Sequence, residues 1–259
     1  MGEKAHRACS QGTDQKERSG VSELKILLIC SIIVETLLLF IYVYSPLVRS
    51  GAKNLAAKMS CAMMYVVIGF LAAEASGGYN AYAALITTGA IFGALGDLTL
   101  NMDVNSNRFF VGLGSFLTGH IFYLASFGLM LGKITEVTPL KIFLTAAAAI
   151  VLSSILVAAG RKHGLLPKNF FLPVLLYVFS ITAMLGFSLS LAIAIGSVRN
   201  IGAAVCVAAG AVMFVVSDAV LALRTFARDR FSINRFVNPL TYFPAQVLIG
   251  LSIYFVNHA

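Results

Sequence analysis

Two aspartates stand inside long apolar runs: Gly89-Ala90-Ile91-Phe92-Gly93-Ala94-Leu95-Gly96-Asp97-Leu98-Thr99-Leu100 and Gly210-Ala211-Val212-Met213-Phe214-Val215-Val216-Ser217-Asp218-Ala219-Val220-Leu221. Both runs place Gly-Ala eight and seven residues before the aspartate, a small residue just before it, and leucine three after it. A carboxylate in hydrocarbon costs about 2.5–3.5 kcal/mol on insertion scales, so it faces a protein interior or a water cavity and marks a functional candidate. Two carboxyls in matching frames point to an acid–base dyad, Asp97 with Asp218.

Other polar residues fall where they could serve that pair. Lys58 opens the second apolar run, and Tyr242 and Gln246 open the last one, at the same end of the bundle as both aspartates. His120 and Tyr123 lie deeper, near the middle of the fourth run, and Tyr177 lies in the sixth. His120 and Tyr123 are three apart, and Tyr242 and Gln246 four apart, so each pair shares a helix face. Gly89, Gly93 and Asp97 recur every four residues, and small residues there let a neighbouring helix approach the carboxylate. At 1.5 Å rise per residue, these groups can reach one cavity open to the arginine-rich face.

Each residue also has a structural reading. The aspartates could pin helices together by hydrogen bonds, His120 could be a satisfied core histidine, and Lys58 could snorkel to the interface. Tyr242 with Gln246 could be a packing pair, and Tyr177 core. Glu35 is isolated on the first run, and Arg224, Arg228 and Arg230 could attract a lipid phosphate. No metal and no cofactor are expected: of four histidines, His6, His163 and His258 lie outside the spans, leaving His120 alone, whereas a catalytic zinc needs three protein ligands. No G-x-S-x-G nucleophile elbow is present.

The elements that position these groups follow from composition. The chain of 259 residues is 59% hydrophobic and 12% charged, with mean hydropathy +0.88; soluble domains are nearer half apolar and a quarter charged. The apolar residues run continuously for about 20 at a time, the length that crosses a bilayer as a helix, not in the alternation of a β-barrel. Eight spans are predicted, at 24–44, 54–73, 80–101, 109–132, 139–160, 170–195, 200–223 and 238–257. Short loops make them antiparallel neighbours in one bundle. The fold class is therefore all-α, a polytopic membrane protein. The aspartate frames, 121 residues apart on parallel spans three and seven, suggest two parallel four-helix repeats.

Residues 1–22 are polar and read as a disordered tail, and residues 23–259 as the transmembrane domain, with the first span retained. The four cysteines, Cys9, Cys30, Cys61 and Cys206, form no C-x-x-C pair. The net charge of +8 reflects loop residues of membrane topology, not a nucleic-acid partner. The loops after spans one, three, five and seven carry eleven Lys or Arg, against eight on the other side, five of them in the tail. The loop bias favours both termini outside, while the basic tail argues for the opposite orientation.

At these residues the chain resembles the YhhN family, lysoplasmalogenase-like integral membrane proteins. The resemblance is carried by Gly96-Asp97-x-x-Leu100, Phe109-x-x-Gly112-x-x-Ser115-Phe116-x-x-Gly119-His120-Ile121-x-Tyr123, and Pro173-x-x-x-Tyr177 with Met184. It continues in Gly210-Ala211-x-x-Phe214-x-x-Ser217-Asp218-x-x-Leu221-Ala222 and Tyr242-x-x-Ala245-Gln246-x-Leu248-Ile249. It departs at Met59, where a proline is expected after the lysine. The resemblance implies an eight-helix enzyme that hydrolyses the vinyl ether of lysoplasmalogens to a fatty aldehyde and glycerophosphoethanolamine or glycerophosphocholine. Its partners would be the lysophospholipid and the bilayer, which is the plasma membrane if the protein is bacterial.

Vinyl ether cleavage suits two carboxyls. One must be protonated to place a proton on the β-carbon; the other, ionised, stabilises the oxocarbenium and takes a proton from water. Burial and a neighbouring like charge separate two such groups. On this reading Asp97 and Asp218 are catalytic, and Lys58, His120, Tyr123, Tyr177, Tyr242 and Gln246 position water or substrate. The alternative is a lipid or ion transporter coupled through the aspartates. An intramembrane aspartyl protease fits poorly, because Ala94 replaces the first glycine of G-x-G-D and Ser217 precedes the second aspartate.

Overall fold

The computed structural model describes residues 2–48, 51–100, 107–136, 138–164, 171–197, 200–226 and 236–257, with side chains from Ser22 onward. Eight helices account for nearly all of them: α1 (Gly2–Tyr44), α2 (Gly51–Ala75), α3 (Ala81–Thr99), α4 (Asn107–Ile134), α5 (Pro139–Lys162), α6 (Phe171–Ser197), α7 (Ile201–Phe226) and α8 (Val237–Asn257). All are long and apolar enough to cross a membrane, α1 through Ser22–Tyr44, and no strand occurs among the described residues. The protein is an integral, multi-pass membrane protein. Span ends agree with the sequence reading to within three residues. The polar tail continues α1 back to Gly2; the side chains before Gly20, Cys9 among them, lie outside the described residues. So do Arg49, Lys168, Arg199, Arg228, Arg230 and Arg235 of the loops, and His258.

Six helices close a ring in the order α2, α3, α4, α6, α7, α8, with α3 also meeting α8 across it. The other two stand outside, α1 against α2 and α8, and α5 against α6. Only 22% and 17% of the most apolar stretches of α1 and α5 are buried, against 39% or more in the other six. The remaining apolar surface of α1 and α5 meets lipid, which is why both sequences are hydrophobic all round.

Most of the packing follows the repeat that the aspartate frames suggest, with the contacts of α8 to α1 and α3 as the exceptions. Adding four to each helix number turns α1–α2 into α5–α6, α2–α3 into α6–α7, α3–α4 into α7–α8, and α4–α6 into α8–α2, and all of these pairs are in contact. Residues follow the same rule. Asn80 caps α3 by accepting from Ala83 N–H at 2.9 Å, and Asn200 caps α7 by accepting from Ala203 N–H at 3.1 Å. A Cβ at Gly89 would fall 2.6 Å from the Tyr123 ring of α4, and one at Gly210 would fall 2.9 Å from Ile249 of α8. Lipid tails are as apolar as leucine, so close contact through small residues, more than burial, holds such helices together. Each aspartate thus sits about two turns beyond a glycine that brings its helix against a partner.

Candidate active site

Asp97 lies two residues from the end of α3. Its Oδ1 is 3.1 Å from Lys58 Nζ of α2, and the same ammonium donates to Asp97's backbone carbonyl at 3.0 Å. Oδ2 accepts from Tyr242 of α8 at 2.8 Å and from Tyr65 of α2 at 3.2 Å. The chain of bonds continues inward: Gln246 Nε2 donates to Tyr242 Oη at 3.1 Å, and Tyr123 of α4 donates to Gln246 Oε1 at 2.5 Å. Four helices are tied to one carboxylate. Pro244, inside α8 between Tyr242 and Gln246, lacks the N–H that would bond the carbonyl one turn earlier.

Gly93 makes room for this network. A Cβ there would fall 2.7 Å from Gln246 Nε2, 3.2 Å from Tyr65 Oη and 3.4 Å from Tyr242 Oη. Gly93→Ala is expected to lower stability by about 1–3 kcal/mol through overpacking and to disturb the bonds to Asp97; a thermal melt of the purified protein in detergent reads the first effect.

Asp218 has a different setting. It lies eight residues from the end of α7, about 12 Å along the axis. This is deeper than Asp97, because α7 runs on to Phe226. Its Oδ2 accepts from Tyr177 of α6 at 2.5 Å and lies 3.2 Å from His120 Nε2 of α4. Among the described residues no bond engages Oδ1, and no Lys or Arg pairs with this carboxyl. Its side chain is 10% exposed, and it lines a cavity of about 430 Å³ between the ends of α4, α5, α6 and α7. Apart from Asp218 the wall is nearly all apolar, with Phe116, Val157, Val178, Ile181, Val215 and Ala222 in it; Tyr177, Thr182, Thr225 and His163 supply the remaining polar atoms.

The two settings are pseudo-equivalent. Each aspartate takes a tyrosine hydroxyl from the helix before its own, Tyr65 or Tyr177, and a ring from the last helix of the opposite half, Tyr242 or His120. Two differences separate them. Lys58 pairs only Asp97, and the cavity reaches only Asp218.

The sequence reading expects all these groups in one cavity, and the described cavity takes in two of them. The cavity touches Asp218 and Tyr177 but not Lys58, Asp97, His120, Tyr123, Tyr242 or Gln246. Aromatic rings stand between. Phe116 packs edge-on to Tyr242 with centroids 6.0 Å apart, and Phe214 packs edge-on to both His120 at 4.9 Å and Tyr242 at 5.4 Å. No hydrogen bond joins the Asp97 network to the Asp218 network among the described residues. Tyr65 escaped the sequence reading, although its spacing of seven from Lys58 puts both on one face of α2. Glu35 is buried with neither carboxyl oxygen hydrogen-bonded and stands apart from both networks. Among the described residues no group of three or more His, Cys, Asp or Glu converges as metal ligands would.

Residues 53–253 match the YhhN family. The chain belongs to the YhhN family. All eight polar residues of the two networks singled out by sequence lie within the matched region, as does Tyr65. This YhhN protein is 32% identical to lysoplasmalogenase TMEM86B of Mus musculus over 196 residues, 76% of this chain and 74% of that protein. It is 32% identical to lysoplasmalogenase TMEM86B of Rattus norvegicus over 196 residues, 76% and 72%, and 29% identical to the Sus scrofa protein of the same name over 201 residues, 76% and 74%. No solved structure matches it.

Proposed function

We propose that this YhhN protein is a membrane-embedded lysoplasmalogenase in which Asp218 is the acid and Asp97 the permanent carboxylate. The observation that carries the assignment is the unequal setting of the two aspartates. Asp97, with Lys58 at 3.1 Å and two tyrosine donors, is held as the anion. Asp218 faces an apolar cavity with Oδ1 unengaged, the arrangement that suits a neutral carboxyl ready to give a proton. Environments that hold two carboxyls in opposite protonation states assign acid and base.

The reaction balances with one water and no redox step. The Asp218 proton goes to the β-carbon of the vinyl ether, and the double-bond electrons form that C–H bond, leaving an oxocarbenium at the neighbouring carbon. Water adds there and its proton returns to the Asp218 carboxylate, which His120 and Tyr177 hold in place. The hemiacetal then breaks its C–O bond. The leaving glycerol oxygen takes a proton, the new hydroxyl loses one, and a fatty aldehyde departs. Asp97 keeps a negative charge behind Phe116 and Phe214 that favours the cationic intermediate, and Lys58 limits its cost in the resting state. The cavity wall is nearly all apolar, so a bound chain displaces bulk water and the oxocarbenium meets a held water rather than solvent.

The test is product analysis with detergent-purified protein. A lysoplasmalogen is expected to yield fatty aldehyde and the glycerophospho base, and the ester-linked lysophospholipid to yield no fatty acid; no aldehyde from lysoplasmalogens of either headgroup would refute the reading. A cavity-filling variant adds a check. A Cβ at Gly160 meets nothing within 4 Å and Gly160 lines the cavity. Gly160→Phe is therefore expected to fold normally yet cut aldehyde release about tenfold or more by displacing substrate, a KM effect with little change in kcat.

The two-fold repeat favours one other reading, a transporter coupled through one carboxyl in each half. Proton-driven lipid uptake into liposomes without product formation would support it.

A further inference from the structure

Asp218 is held at one carboxyl oxygen. Tyr177 and His120 both meet Oδ2, so where the other oxygen points depends on the backbone that carries the residue. That backbone has a tie of its own. Asn238, in the first turn of α8, donates through Nδ2 to the Ser217 carbonyl at 3.0 Å and to Ser217 Oγ at 2.9 Å. Ser217 Oγ reaches back to the Asn238 carbonyl at 3.5 Å. Ser217 is fully buried and directly precedes Asp218. A carbonyl has two lone pairs, so the amide can grip it without displacing a helical bond of α7.

The first half holds its aspartate by other means. Gly96 stands where Ser217 does, and a Cβ there would fall 2.7 Å from the Phe116 ring. The carbonyl taken from outside the helix is that of Asp97 itself, by Lys58 of α2. In both halves a side-chain donor from a neighbouring helix grips the backbone at the aspartate, but the two donors differ in charge. Lys58 is a cation and also pairs the Asp97 carboxylate. Asn238 is neutral, so it fixes the backbone without placing a charge beside the carboxyl that must carry a proton. Asn238 and Tyr242 are four apart on α8, so one face of that helix bears on both settings, Tyr242 on Asp97 and Asn238 on Ser217.

We propose that Asn238 is a positioning residue that, through Ser217, sets the pose from which Asp218 gives its proton and keeps that pose in register with Asp97. This rests on the lysoplasmalogenase reading for its kinetic readout only. Asn238 does not line the cavity, so it acts on the orientation of the acid and not on the binding of the chain. A misplacement of about 1 Å at a reacting group can cost about a hundredfold in rate.

The experiment has a kinetic arm and a spectroscopic arm. Asn238→Ala is expected to lower kcat for a lysoplasmalogen about tenfold or more, with KM held. Asn238→Asp, of the same shape but with no donor, should do the same, and Asn238→Gln, which keeps the amide on a longer arm, should recover part of kcat. The second arm reads the carboxyl without turnover. Infrared spectra of protein carrying carbon-13 in its aspartate carboxyls, each taken against the same protein with Asp218→Asn, isolate the Asp218 bands in either protonation state. Those bands are expected to shift in Asn238→Ala and Asn238→Asp, as the bonds from Tyr177 and His120 change length, and to return toward their native positions in Asn238→Gln. Native bands in folded Asn238→Ala would overturn the proposal. So would a rise in KM with kcat held, or a lower melting temperature with both constants unchanged, which would leave a bond that only joins α7 to α8. Should the native protein release no aldehyde, the hydrolase reading fails by itself and the infrared bands still decide whether Asn238 places Asp218.

Discussion

Asp218→Asn is expected to reduce aldehyde release by about three orders of magnitude while leaving the melting temperature within a degree or two of the native value. The rate effect is the larger because carbon protonation needs an acid: a positioned general acid contributes about 10²–10⁴-fold, and here the same carboxyl must also take back the proton from water. The fold effect is small because Asn keeps the shape and the acceptor. Tyr177, now 2.5 Å from Oδ2, can still donate to the amide oxygen, and the amide N–H₂ can turn to the cavity. No Lys or Arg is left unpaired, since the partner across the carboxyl is His120, which a neutral tautomer satisfies. Aldehyde release with a thermal melt on the same preparation measures both effects.

Asp97→Asn is expected to act the other way round, on stability first. It leaves the Lys58 ammonium without its counter-ion, and the side chains of the pair are only 15% and 4% exposed. Breaking a buried pair by removing one partner costs about 3–5 kcal/mol; the low end applies here, because Lys58 lies about two turns from the start of α2 and its long side chain can withdraw toward the interface. Tyr65 and Tyr242 also lose a charged acceptor. Removing both charges, with Lys58→Met and Asp97→Asn together, should recover most of that loss, as exchanging a whole buried ion pair for neutral groups is often neutral. The recovered double variant remains about a hundredfold slow in aldehyde release, because the anion that favours the oxocarbenium is gone. Recovery of stability together with full activity would reduce Asp97 to a structural pin.

Much of this was legible in the sequence because a bilayer imposes strong rules. The eight spans follow from run length, and the structure shows Asn80 and Asn200 capping two of them. Asp97, Asp218, Lys58, Tyr242 and Gln246 stood out because polar groups are costly in lipid. Their same-face spacing correctly grouped Tyr242 with Gln246, and the shared frame of the aspartates reappears as the helix-by-helix repeat of contacts. What could not be read was which faces meet. Tyr65 looks like any aromatic of an apolar helix until α2 is placed against α3. Phe116 and Phe214 stand in the sequence only as motif residues, yet their rings pack between the Asp97 network and the described cavity. The pocket arises because α5 packs mainly on α6 while α1 packs on both α2 and α8, a difference between two uniformly apolar helices that periodicity does not encode.

The most direct measurement of the central claim is lysoplasmalogen hydrolysis in D₂O, with the released aldehyde analysed by mass spectrometry for the native protein and for folded Asp218→Asn. If Asp218 delivers an exchangeable proton to carbon, the native protein releases aldehyde carrying one deuterium at the carbon next to the carbonyl, and the variant releases almost none. Aldehyde without that deuterium, or undiminished release by the variant, would contradict the account.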